Sequence, residues 1–175
     1  MPQTLLSLAG LLIITFLSFN QQQASIRTQQ KAIRAEMQQM AIGVAKQSIE
    51  VVRARAFDDS TRSDDPPPSE LTKPENFPTE KKCRAFGGND TCDSIEDFHK
   101  MFPEEDPATV SVSVPGGTFA FEIKIRVHYV DSDLNRTSSR TERKEVTIHV
   151  QDDRGPNKDP LLDGPITFTE VLGYT

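Results

Sequence analysis

Residues 5–19 read LLSLAGLLIITFLSF, and only Ser7, Thr15 and Ser18 in that run are polar. A helix apolar on every side must be surrounded by lipid or by copies of itself. Residues 1–26 carry no charge, and the first charged residue is Arg27. As a helix the run rises about 22 Å, short of the roughly 20 residues a comfortable membrane span needs. A secretory signal needs a basic start and a small-residue cleavage site. Nothing basic precedes this run, and Gln21-Gln22-Gln23-Ala24 is a poor site. A simple anchor followed by Arg27, Lys31 and Arg34 places the C-terminus in the cytoplasm. The remaining expectation is a chain from which a basic leader has been removed and whose apolar helix survives processing.

The next stretch continues the helix. From Ala24 to Phe57 there is no proline, and the only glycine is Gly43. Apolar residues recur at Ile26, Ile33, Met37, Met40, Ala41, Val44, Ile49, Val52 and Ala56. Those spacings predict an amphipathic helix. Residues 5–56 thus read as one nearly continuous helix of roughly 80 Å. Residues 27–56 hold six Lys/Arg against two Glu, whereas 57–175 hold 14 basic against 24 acidic residues. An acidic head argues against nucleic-acid binding.

Residues 58–78 carry five prolines and read as either a floppy tether or an ordered wrap. Cys83 and Cys92 flank Gly87-Gly88-Asn89-Asp90, which can turn tightly enough to join them. A disulfide, and so an oxidising compartment, is favoured over free thiols or half a zinc site. Asp93 is expected to cap a short helix, with Glu96 at its third position and Ile95, Phe98 and Phe102 facing inward. After Pro107 the period becomes two. Val110, Val112 and Val114 alternate with serines, and Pro115-Gly116-Gly117 reads as a turn. Phe119, Phe121, Ile123, Ile125, Val127 and Tyr129 then share one face. Ala120, Glu122, Lys124, Arg126 and His128 share the other. Val146, Ile148 and Val150 alternate again, and 166–174 reads as a last strand.

The expected class is α+β: a long N-terminal helix, apolar then amphipathic, packed on a C-terminal antiparallel β-meander. The divisions are 1–57 for the helix (1–23 apolar, 24–57 amphipathic), 58–107 for the linker, and 108–175 for the head. No acid, base and nucleophile converge, so no enzyme is expected. His99, His128 and His149 read as ordinary side chains. Asp131, Asp133, Asn135, Thr137, Ser139 and Glu142 have calcium-loop offsets, although Arg136 stands where the turn wants Gly. The other reading is a polar hairpin loop. Asp152, Asp153, Asp159 and Asp163 form a second acidic loop. Asn89 and Asn135 head glycosylation tripeptides. Calcium is the one cofactor weighed.

This order of parts resembles a type IV pilin or pseudopilin. The resemblance is architectural and spans the chain. Met1 fits the family's processed and methylated first residue. Leu5 stands where the family usually has an acid, and Gln22 near its usual helix-kinking proline. The cystine also precedes the sheet instead of lying near the C-terminus. The resemblance implies a structural subunit that waits in the inner membrane. It then joins a helical homo-oligomeric filament, extracellular or secretion-related. Met1, Leu5, Leu6, Leu8, Leu11, Leu12, Ile13, Ile14, Phe16, Leu17 and Phe19 would drive polymerisation. The rival expectation is a membrane-anchored extracytoplasmic β-domain that binds a partner without forming a filament.

Overall fold

The computed structural model describes residues 2–62, 67–115, 117–153 and 161–174, with side chains from Leu8 onward except those of Ala9 and Pro68. Met1 therefore lies outside the described residues, as do Pro66, Gly116 and Asp159. Helix α1 runs Pro2–Arg53 without a break. The chain divides into two compact units, 1–37 and 38–175.

In the first unit the helix stands on its backbone ladder and on hydroxyls that fold back to it. Thr15 Oγ1 donates to the Leu11 carbonyl at 2.7 Å, and Thr28 Oγ1 to that of Ala24 at 2.9 Å. Ile26 and Ile33 are exposed.

The second unit is α+β. It begins with the last turns of α1, which bury Ala41, Val44, Ala45, Ile49 and Val52 and leave Lys46 and Glu50 outside. This stripe covers the apolar face of the sheet. Each fully buried Val or Ile contributes about 1.5–3 kcal/mol. The helix ends at Arg53, three residues before the expected end. Arg55 N–H tightens onto the Val52 carbonyl at 3.1 Å, and Ala56 then leaves to bridge with Ser94. The Ala56 N–H donates to the Asp93 carbonyl, and the Ile95 N–H to that of Ala56, both at 3.0 Å.

The sheet contains β1 (Ala108–Val114), β2 (Gly117–Val130), β3 (Arg136–Thr137), β4 (Arg143–Asp152) and β5 (Ile166–Gly173). Its order is β1-β2-β4-β5, all antiparallel, with β3 pairing with β2. That is a meander, as short connections between alternating segments require. Register places Ile123 opposite Val150, Ile125 opposite Ile148, and Val127 opposite Val146. All six are at most 1% exposed, so the period-two reading of the inner face holds. Beyond Ile123 the edge of β2 has no β1 residue to pair with. The Lys100 N–H donates to the Ile125 carbonyl at 2.9 Å, and the Val127 N–H to His99 Nδ1 at 3.1 Å. An otherwise open strand edge is thereby satisfied.

The linker is an ordered wrap over its described parts. Phe57, Asp58, Leu71 and Phe77 are buried, and single 3-10 turns occur at Asp59–Arg62, Pro68–Glu70 and Pro74–Asn76. Cys83 and Cys92 are joined, with Cα atoms 5.5 Å apart. Gly87 has φ 88°, and a Cβ on Gly88 would meet the Lys82 carbonyl oxygen at 2.0 Å. Glycine is needed at both positions for the loop to close.

The short helix differs from expectation by one residue. It is a single 3-10 turn, Ile95–Phe98, with Ser94 as its N-cap. Asp97 in place of Glu96 accepts backbone N–H groups, from Asp93 at 2.9 Å and Ser94 at 3.3 Å. Phe102 lies beyond the turn, half-buried, and Met101 is buried in its stead. The displacement has a cause in the core: Glu96 is drawn inward by a buried lysine.

Candidate functional site

Two features stand out, one in each unit. The first is the apolar run. Leu8, Leu11, Leu12, Ile13, Ile14, Phe16, Leu17 and Phe19 are between 58% and 68% exposed. Residues 11–14 are consecutive, so they point in every direction around the helix axis. No single stripe accounts for them. Of Leu5 and Leu6 only the backbone is described, and it is helical. Among the described residues no helix is long and apolar enough to cross a membrane.

The second feature is a buried charge cluster. β4 alternates Lys144, Val146, Ile148 and Val150 on the inner face, so Lys144 sits in phase with the core and opposite Tyr129. It is 0% exposed. Its Nζ donates to the Phe57 carbonyl at 2.7 Å, to Asp58 Oδ2 at 2.8 Å and to Glu96 Oε2 at 2.7 Å. All three ammonium protons are thus used. The rings of Phe57, Tyr129 and Phe77 stand 4.6, 5.1 and 5.3 Å from the nitrogen and shield it from water.

Asp58 is wrapped as closely. Its Oδ1 accepts from Thr72 Oγ1 at 2.8 Å, Ser60 Oγ at 2.9 Å and the Thr72 N–H at 3.0 Å. Tyr129 Oη lies 3.1 Å from Asp58 Oδ2 and 2.9 Å from the Thr72 carbonyl. Burial pushes the Asp58 carboxyl up, but Lys144 and the Thr72 donors outweigh it and bring it down to about 2. Burial dominates at Glu96 and raises its carboxyl above the ordinary range, although Lys144 opposes this. The Tyr129 phenol is raised by burial and by Asp58. One ammonium therefore faces two carboxyls, and Glu96 is the one that keeps a proton more readily.

The expected sites fall elsewhere. Asp131 Oδ1 accepts the backbone N–H of Asp133 at 2.9 Å and of Asn135 at 2.8 Å, which closes a polar loop ahead of β3. Leu134 there has φ 63°. Asp133, Asn135 and Glu142 are exposed. Among the described residues no group of three or more His, Cys, Asp or Glu could hold a metal ion. Asn89 and Asn135 are exposed, as glycosylation would need. His149 contacts Thr167 Oγ1 at 3.0 Å on the outer face. His99 and His128 stack edge-on at 5.6 Å, and burial, then the charge of His128, bring His99 down to about 4.

The Lys144 cluster was missed by sequence reasoning. Its signal was present: the inward alternation of β4 extends back by one step to a lysine, opposite an inward tyrosine. Nothing local pointed to Asp58 in the acidic linker, and Glu96 passed for a capping residue. Comparison with family models, with curated proteins and with solved structures finds no match to this chain.

Proposed function

We propose that the chain is a structural subunit of a type IV pilus-like or pseudopilus filament that polymerises through its apolar N-terminal helix. The observation that carries this reading is the band at 8–19, apolar around the whole circumference of a continuous helix and exposed. Packed among copies of itself, each of its large side chains gains about 1.5–3 kcal/mol relative to water. Eight of them supply on the order of 10 kcal/mol or more relative to water, so a subunit once packed in the polymer is held from escaping into the aqueous phase. The architecture, a long helix followed by an antiparallel head with a cystine, supports the same reading. One repeated head-to-tail contact between helices builds a filament when its rotation does not close on itself. Before assembly the helix waits in the inner membrane; afterwards it forms the core of an extracellular or cell-surface polymer.

The test is electron microscopy of the full chain beside Ile13→Arg. The natural chain forms rods of uniform diameter, and the variant forms none. Detergent-dependent monomers from the natural chain would overturn the reading and favour an anchored binding module.

A further inference from the structure

We propose that the head modifies itself: Lys144 Nζ and the Asp58 side chain condense to an intramolecular amide, with Glu96 carrying protons between them. The inference is independent of the filament reading.

Three arrangements support it. Lys144 is a nucleophile held at hydrogen-bond distance from a carboxyl group in a site closed to water, with Lys144 and Asp58 both 0% exposed. Such placement converts an improbable encounter into an intramolecular step. In water the ammonium and carboxylate are each well solvated and do not condense. Buried, both charges lose that solvation. The neutral amine facing a neutral acid is a minor state, reached by proton transfer against the Lys144 and Thr72 contacts that hold Asp58 at about 2, and condensation proceeds from it. Next, the two oxygens of Asp58 are unlike. Oδ1 faces the Thr72 N–H and the Thr72 and Ser60 hydroxyls, a set of donors suited to an oxyanion. Oδ2 faces Lys144 Nζ at 2.8 Å, with the Tyr129 hydroxyl and a share of the Thr72 N–H each at 3.1 Å, and as the oxygen on the nitrogen it is the one that leaves. Finally, Glu96 is a second carboxyl on the same nitrogen. Its other oxygen accepts the Asp59 N–H at 2.7 Å, which holds the carboxyl in place beside the nitrogen. Burial raises its affinity for a proton, as a shuttle requires.

The step balances without any co-reactant. The Lys144 ammonium gives a proton to Asp58 Oδ2. The freed lone pair attacks Cγ, and the negative charge develops on Oδ1. Glu96 protonates the departing Oδ2 and recovers a proton from the nitrogen. The Cγ–Oδ2 bond breaks, the Nζ–Cγ bond remains, and Oδ2 leaves as water. Of the three ammonium protons one stays on the amide and two depart with the oxygen. The product has one fewer buried ammonium and one fewer buried carboxylate. It ties the segment that follows α1 to β4 across a sequence separation of 86 residues.

The measurement is the intact mass of the full chain, denatured and with its cystine reduced. The expected value is one water below the sequence mass. Peptide mapping should show a branched peptide joining Lys144 to Asp58, with no tryptic cleavage after Lys144. Asp58→Asn should lose one ammonia instead, and Lys144→Arg should keep its full sequence mass. Glu96→Gln, if its circular dichroism stays native, should form the bond many-fold more slowly. A natural chain at full sequence mass overturns the proposal, and so does a branch from Lys144 to Glu96. A Glu96→Gln chain that links at the natural rate removes Glu96 from the mechanism.

Discussion

Leu12 and Ile148 are similar aliphatic side chains, yet Leu12 is 63% exposed and Ile148 is 0% exposed. Among the described residues, the large apolar side chains of 8–19 stay outside, whereas 38–175 bury most of theirs and enclose a lysine and two carboxyls with them. A sheet face covered by a helix is a complete solution to apolar burial. A helix apolar all round cannot solve it with one chain. Hence the second unit hides most of its apolar surface within one chain, and the first leaves its own exposed.

That contrast can be broken or sharpened by experiment. The largest effect is expected from a charge placed in the apolar run. Ile13→Arg should abolish rods in electron microscopy and leave the far-ultraviolet spectrum and melting of the head unchanged. A shift in melting would show that the run contributes to the fold of the chain itself. Next is Lys144→Ala, which leaves Asp58 and Glu96 buried without the nitrogen that neutralises them, whether as ammonium or as amide. It should cost about 3–5 kcal/mol in denaturant unfolding. A loss below about 1 kcal/mol would mean that the carboxyls take up protons at little cost.

A pH titration of stability addresses the same core from another side. His99 is depressed from 6.5 to about 4, by burial first and by His128 next, with Lys100 and Arg126 adding to it. A depressed histidine binds fewer protons folded than unfolded. Its contribution is present above about 6.5 and is lost as pH falls toward 4. The loss should reach roughly 3 kcal/mol and disappear in His99→Gln, read from urea midpoints between those limits. The smallest effect is expected at the cystine. Cys83→Ala with Cys92→Ala opens a short loop and should cost about 2–3 kcal/mol in thermal unfolding, leaving assembly intact.

Much of the fold was legible in the sequence, because period and punctuation are local properties. The alternation from Phe119 to Tyr129 marked one face of β2, and the absence of proline from Ala24 to Phe57 marked the helix. The cystine was legible from the glycines between its two halves. The cap of the short turn was not, because Asp93 and Ser94 are both good caps and the sequence does not rank them. The core decided between them by taking Glu96 for Lys144. Order in the linker was equally out of reach. Leu71 and Phe77 sit among prolines and charges, and only the surface they cover explains why that segment is held.

By itself the sequence determined where the apolar groups lie along the chain, and so that the leading helix carries more of them than one helix can hide. The same alternation determined which face of the sheet is inner. Only the tertiary structure decided that Lys144, Asp58 and Glu96 meet. The reason is physical: a strand's period says that a side chain points inward, but which partners neutralise it depends on segments brought together by the whole fold.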